Sequence, residues 1–166
     1  MATAYRAYNA VLSNTAAPTR VTTGTAIKTL LQIGVPSTRP ITVISWGISF
    51  DGVTPTNVPV PVELVQTDYA ATVTGVTPGV WGNQTDAPAS LCVSGTSATG
   101  HTATAEGSAS GTNRLLDYID FTPNGGAFVR DYPLGREPIV PISKFLRIRT
   151  TAANAVNAIC YITWEE

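Results

Sequence analysis

The segment from residue 43 to residue 50 has the clearest periodic pattern in the chain. Bulky apolar residues alternate there with mostly small ones, and the two sets are Ile44, Trp46, Ile48 and Phe50, and Val43, Ser45, Gly47 and Ser49. A period of two is typical of a β-strand with one buried face. Asp51 and Gly52 follow as a turn dipeptide, which ends the strand. The segment therefore predicts a half-buried central strand.

The composition extends this prediction to the whole chain. The 166 residues include 27 Val and Ile and 25 Thr against only 9 Leu. β-Branched residues favour strands, whereas helices favour Leu, Ala, Glu and Lys. The 14 Gly and 12 Pro divide the chain into short segments. We predict an all-β fold, a jelly-roll-like antiparallel β-sandwich of about 8–10 short strands.

Two regions are less strongly patterned. Residues 1–25 predict an extended N-terminal arm, which precedes a β-sandwich (jelly-roll) domain over residues 26–166. Residues 68–112 contain few bulky side chains, yet a structureless segment of that length is unusual in a compact domain. We therefore expect short strands within this segment, and the best candidates are residues 71–76, 90–93 and 102–106.

The last third of the chain is strongly patterned again. Residues 115–121 and 127–132 are separated by Pro-Asn-Gly-Gly, so they predict a β-hairpin. Two further strands are expected at 145–150, where Leu146 and Ile148 alternate with two arginines, and at 156–164.

Charge and hydropathy limit the partners and the compartment. The net charge is −1, so the chain has no general basic field for nucleic acid or for an anionic membrane surface. No segment approaches the roughly 18–20 apolar residues of a membrane span, and the N-terminus has no basic region followed by an apolar run. We expect synthesis in the cytosol, with no nucleic acid or membrane as partner. Cys92 and Cys160 are then expected to be small buried apolar residues, not a disulfide.

Residues that could carry catalysis are few. His101 is the only histidine and has no Cys, Asp or Glu at the spacing of a metal site. Asp117, Asp120 and Asp131 could form the carboxylate pair of a sandwich hydrolase. They are interleaved with arginines, however, which favours ordinary cross-strand ion pairs. The sequence therefore predicts no catalytic residue, cofactor or metal, and a protein that is not an enzyme.

A local basic cluster is the most suggestive charge feature. Four cations fall within fourteen residues, with only Glu137 to offset them: Arg136, Lys144, Arg147 and Arg149. The alternation places the last two on one face of a sheet. One interpretation is a solvated face, and the other is an electrostatic contact with an acidic partner surface. Nucleic acid is a weaker candidate because no aromatic residues are interleaved on that face.

Several stretches resemble small virion proteins encoded by tailed bacteriophages. They are TVISWGISFDG at 42–52, PVEL at 61–64, GTSATGHTATAEG at 95–107, YPLGRE at 132–137 and AVNAICYITWEE at 155–166. The resemblance covers most of residues 27–166 and leaves the arm outside. It implies a jelly-roll protein that decorates or cements the outside of a capsid, usually as a homotrimer, with the major capsid protein as partner and the virion as location.

The sequence offers contact residues for this role and for one alternative. The candidates for contacts with the capsid or with other copies are Tyr5, Arg6 and Tyr8 in the arm, and Arg136, Lys144, Arg147 and Arg149 in the basic cluster. The alternative is a carbohydrate- or receptor-binding module of a tail or fibre. In that case Trp81, Tyr69 or Tyr118 would stack on sugars.

Overall fold

The computed structural model describes residues 2–52, 57–82, 86–108 and 112–166. These residues form thirteen β-strands and no helix, in two antiparallel sheets that pack against each other. The predicted all-β antiparallel sandwich is therefore confirmed. Since the described part of the chain is entirely non-helical, it contains no helix that could cross a membrane.

The strands of the described residues follow one another along the chain as β1 (Ala4–Tyr8), β2 (Val21–Thr22), β3 (Lys28–Gly34), β4 (Ile41–Phe50), β5 (Val60–Thr67), β6 (Thr72–Gly75), β7 (Gly79–Val80), β8 (Gly100–Ala105), β9 (Arg114–Phe121), β10 (Ala127–Asp131), β11 (Ile139–Val140), β12 (Phe145–Thr150) and β13 (Asn157–Glu165). The seven-stranded sheet has the order β10-β4-β13-β1-β7, with β11 beside β4 and β2 beside β13. The six-stranded sheet has the order β6-β8-β3-β12-β5-β9.

The core lies between the two sheets. Its largest fully buried apolar side chains come from both layers and include Trp46, Trp164, Leu30, Leu146, Ile148 and Ile162. Complete burial of one such side chain contributes about 1.5–3 kcal/mol. Cys92 and Cys160 are free and buried, as predicted. Burial raises the pKa of both thiols, that of Cys92 to about 12.

A β-bulge corrects the predicted alternation in β4. Thr163 of β13 is opposite Ser45, but the next residue, Trp164, is opposite Val43, so Ile44 is the extra residue. A bulge of this kind reverses the side on which the following side chains point. Val43, which is fully buried, therefore shares the core face with Trp46, and Ile44 is only partly buried.

The first residues of the predicted arm belong to the sandwich. β1 lies between β13 and β7, and its Tyr5 side chain is 2% exposed. Only Tyr5 and Ala7 face the core here, too few apolar residues to produce a recognisable pattern. Asn9 continues the pairing through two hydrogen bonds to the backbone of Cys160. Residues 11–20 then form an exposed loop, which ends where Val21 pairs with Ala158.

The predicted hairpin of residues 115–121 and 127–132 is wrong. β9 pairs with β5 in the six-stranded sheet, whereas β10 pairs with β4 in the seven-stranded sheet. The intervening turn, in which Gly125 has a φ of +72°, carries the chain from one layer to the other. Turn residues indicate where a chain reverses, but they do not determine which sheet the next strand joins.

The weakly patterned segment 68–112 contributes to both sheets. β6 and β8 extend the six-stranded sheet, and they overlap the strands predicted at 71–76 and 102–106. β7 extends the seven-stranded sheet beyond β1. The strand predicted at 90–93 does not form; only an isolated bridge joins Ser94 and Thr99.

Candidate functional site

The predicted basic cluster does not form a positive surface. Arg149 pairs with Glu63 at 2.7 Å, and Lys144 pairs with Asp68 at 2.8 Å. Arg147 is fully buried beside a carboxylate. Of these four cations, only Arg136 is exposed and outside the ion pairs of the described residues. An electrostatic contact made by all four cations is therefore excluded.

The burial of Arg147 has a structural cause. The alternation does turn its side chain away from the core, but that face of β12 is covered by the end of β8 and by Tyr69. The guanidinium lies 5.3 Å from the Tyr69 ring, donates to Thr29 Oγ1 at 2.7 and 3.0 Å, and contacts the Glu106 carboxylate. Burial lowers the pKa of Arg147. The side chain therefore holds segment 68–112 onto the sheet and is closed to a partner.

Two of the three candidate carboxylates, Asp117 and Asp120, bind neighbouring side chains. Asp117 accepts hydrogen bonds from Trp46 Nε1 at 3.1 Å and from Arg130 Nε at 3.0 Å, so it joins the edges of the two sheets. Asp120 accepts from the Tyr118 hydroxyl at 2.8 Å. The ion pair favoured by the sequence is thus present, although it connects two sheets and not two paired strands. Among the described residues, no group of three His, Cys, Asp or Glu could hold a metal ion.

The outer face of the seven-stranded sheet is a regular surface of paired strands. Directly opposed residues of antiparallel strands point to the same side, so the register defines four rows across this face. The rows are Ala127, Ser49 and Ile159; Val129, Gly47, Tyr161 and Tyr8; Asp131, Ser45, Thr163 and Arg6; and Ile139, Thr42, Glu165 and Ala4. Three of these residues are charged, namely Arg6, Asp131 and Glu165. We call these fifteen residues the outer face.

Gly47 makes the centre of the outer face flat. A Cβ atom at this position would lie 2.7 Å from a ring carbon of Tyr161 and 2.9 Å from the backbone oxygen of Phe128. The absence of a side chain therefore allows the Tyr161 ring to lie across the sheet. Beside the ring is a shallow apolar cavity of about 170 Å³, which is lined in part by Val129 and Ile159. Val129 is 55% exposed.

One edge of the outer face carries a cluster of arginine and aromatic rings. The Arg6 guanidinium carbon lies 4.5 Å from the centre of the Tyr161 ring and 4.9 Å from that of Trp81. Arg6 Nε donates to Thr163 Oγ1 at 2.7 Å, which fixes the side chain between the rings. Tyr8 packs against Tyr161 with ring centres 5.9 Å apart. We call Arg6, Tyr8, Trp81 and Tyr161 the aromatic–arginine cluster.

The three contact residues predicted in the arm do not share one surface. Arg6 and Tyr8 belong to the cluster and are partly exposed, but Tyr5 points into the core and donates to the Pro88 backbone oxygen at 2.9 Å. The sequence missed Tyr161 as a surface residue and the pairing of Arg6 with Trp81. No local pattern links residues so distant in the chain, because the pairing depends on β7 joining β1.

The aromatic residues considered for sugar binding do not form one site. Trp81 follows β7 at one edge of the seven-stranded sheet and is 41% exposed, whereas Tyr118 lies on β9 at the opposite edge of the sandwich. Tyr69 stacks on the buried Arg147. Only Trp81 is close to further surface rings.

Comparison of the chain with family models, with curated proteins and with solved structures finds no match. A function for the chain therefore has to be argued from its own surfaces.

Proposed function

We propose that the chain is a non-enzymatic virion structural protein. It binds the outside of a tailed-phage capsid as a homotrimer and decorates or stabilises the shell. Its partners are the major capsid protein and other copies of itself. It is made in the host bacterial cytoplasm and ends on the exterior of the virion.

The observation that carries this proposal is the outer face with its aromatic–arginine cluster. The face is flat at its centre and twelve of its fifteen residues are uncharged, so most of it loses little hydration free energy when a protein covers it. Trp, Tyr and Arg are the residues most often found at the energetic centre of protein interfaces. Here Arg6 is already held between two rings, so little side-chain entropy is lost on binding. Trimerisation would then strengthen each weak contact through multivalency.

The strand order supports the jelly-roll form of the sandwich. Eight of the strands are β1, β3, β4, β5, β9, β10, β12 and β13. Numbered one to eight along the chain, they lie in the orders 6-3-8-1 and 2-7-4-5 in the two sheets. This interleaving is typical of a double-sheet jelly roll, an architecture common in viral capsid proteins.

The test is cosedimentation with empty capsids of the phage whose genome encodes the chain. We expect wild-type protein to saturate the particles, and Val129→Glu to lower the affinity at least tenfold, because it places a charge in the apolar cavity of the outer face. Val93→Glu is the matched control, since Val93 is 64% exposed and lies outside that face. Thermal unfolding confirms that both variants fold. The proposal fails if wild type does not bind, or if Val129→Glu binds as well as the control.

Sedimentation velocity tests the trimer separately. A single monomeric species at micromolar concentration would exclude a stable homotrimer in solution, whereas the capsid contact would remain to be judged by cosedimentation alone.

A carbohydrate- or receptor-binding module remains the second candidate, and Trp81 favours it. This ring is 41% exposed and lies beside Arg6, an arrangement that also suits stacking on a sugar. A glycan array distinguishes the two proposals. Decoration predicts no bound glycan, whereas the lectin proposal predicts hits that Trp81→Ala abolishes.

A further inference from the structure

A cavity of about 500 Å³ opens between the exposed loop after β1 and the six-stranded sheet. One wall consists of loop residues and β2, and the other consists of the start of β3 and the start of β8. It is distinct from the outer face. The polar side chains that line it include Arg20, Lys28, His101 and Thr102.

The described charged side chains that line this cavity are all basic. Arg20 and Lys28 both line it, and none of the described residues that line it is acidic. Lys28 Nζ donates one hydrogen bond, to the backbone oxygen of Thr22 at 2.8 Å, which leaves two of its protons available. Arg20 makes no ion pair within the part of the chain that the structure describes. Two cations thus converge in a chain whose net charge is −1.

An irregularity in β8 brings a histidine to the cavity wall. Successive side chains of a strand normally point to opposite sides, but His101 and Thr102 both line the cavity. Thr102 has a φ of +55°, which β-branched residues rarely adopt, and the pairing of β8 with β6 shifts register here. Bulges commonly redirect side chains in this way.

The redirected histidine lines the cavity without supplying a hydrogen bond to it. Its Nδ1 lies 2.8 Å from Thr102 Oγ1, and its Nε2 is buried, out of reach of a ligand in the cavity. The ring is therefore a reporter of binding in the cavity, and the charged groups there are Arg20 and Lys28.

We propose that this cavity binds a small oxyanion, the phosphate or carboxylate group of a ligand. Arg20 and Lys28 supply the positive charge and the hydrogen-bond donors. The two cations can each donate to a different oxygen, as charge-assisted bonds to oxyanions do. This site is independent of the docking function proposed above.

The single histidine makes the test specific. The imidazole Cε1–H resonance of His101 is followed by NMR at pH 7 while inorganic phosphate or acetate is added to the full chain. Sodium chloride at the same ionic strength is the reference. We expect a saturable shift with one of the oxyanions, and the one that saturates identifies the ligand as phosphate- or carboxylate-bearing.

Variants assign the response to the cavity. Arg20→Gln and Lys28→Gln should each weaken binding at least fivefold. Arg39→Gln removes the same charge from an exposed residue outside the cavity and should leave binding unchanged. The proposal is overturned if neither oxyanion shifts the resonance more than chloride does, or if the cavity variants respond like Arg39→Gln.

Discussion

Removal of the negative charge beside Arg147 should destabilise the fold more than removal of Arg147 itself. The informative change is Glu106→Gln, because the glutamine oxygen can still accept from the Thr29 backbone N–H, which now lies 2.5 Å from Glu106 Oε1. Arg147 would keep its contact with Thr29 Oγ1 but lose its only described counter-charge. Its guanidinium would then remain a buried cation without compensation.

The magnitude follows from the burial of the two partners. Breaking a fully buried pair costs about 3–5 kcal/mol, and an exposed pair contributes about 0–1 kcal/mol. The Arg147 side chain is 0% exposed, but that of Glu106 is 25% exposed, so water already screens the pair in part. We therefore expect Glu106→Gln to lower the free energy of unfolding by about 2–3 kcal/mol, or the Tm by about 4–12 °C.

Arg147→Met is the matched change at the cationic partner of this ion pair. It leaves a carboxylate that water can reach and replaces a desolvated cation by an apolar chain of similar length, so we expect a smaller loss, about 1 kcal/mol. In the double variant, Glu106→Gln should add almost nothing to Arg147→Met. Urea unfolding followed by tryptophan fluorescence measures all four proteins. The reasoning is refuted if the two single losses are additive, or if Glu106→Gln costs less than 0.5 kcal/mol.

Three further predictions concern the C-terminus, the outer face and alkaline pH. Glu166 accepts hydrogen bonds from the Ser90 hydroxyl and, at 2.8 Å, from the Leu91 backbone N–H. Glu166→Ala should release the segment around residues 90–92 and expose the Cys92 thiol to a disulfide reagent, whereas the thiol of the wild type should react only when the protein is unfolded. Gly47→Ala should cost about 1–3 kcal/mol by overpacking against the ring above it, while Gly79→Ala, whose Cβ would meet nothing closer than 3.9 Å, should be close to neutral. Burial raises the pKa of Tyr132 from 10.0 to about 12, so the contribution of the neutral phenol to the free energy of unfolding is present below pH 10 and is lost as the pH rises toward 12. In urea titrations at alkaline pH, Tyr132→Phe should therefore show a smaller decline in the free energy of unfolding than wild type. An equal decline in the two proteins would contradict the role of Tyr132.

The strands that the sequence predicted well are those with a strong local period. β4 alternates bulky and small residues over 44–50, and β12 alternates apolar and charged residues over 146–149, so one face of each is identifiable without the partner strands. β13 is rich in β-branched and aromatic residues, which favour a strand. β1 and β7 lack such a period, because β1 buries only two side chains and β7 has two residues. Their positions depend on pairing with residues far away in the chain.

The site was harder to predict than the strands. The alternation in β12 correctly placed Arg147 on the face that points away from the core. That face is nevertheless buried because segment 68–112 covers it, and no local signal reveals the path of this segment. The aromatic–arginine cluster has the same origin, since Arg6 and Trp81 meet only after β7 joins β1. Sequence patterns describe one strand at a time, whereas a surface is made by several strands together.

The position of β13 has a consequence for how the chain folds. β13 is the last of the thirteen described strands to leave the ribosome, yet it lies between β4 and β1 in the seven-stranded sheet. The contact between Arg6 and Thr163 spans 157 positions of sequence. Until β13 arrives, the edges of β1 and β4 are unpaired and open to other chains. This sheet therefore cannot be completed before β13 has been synthesised, its folding should be slow, and a chain truncated before β13 should aggregate.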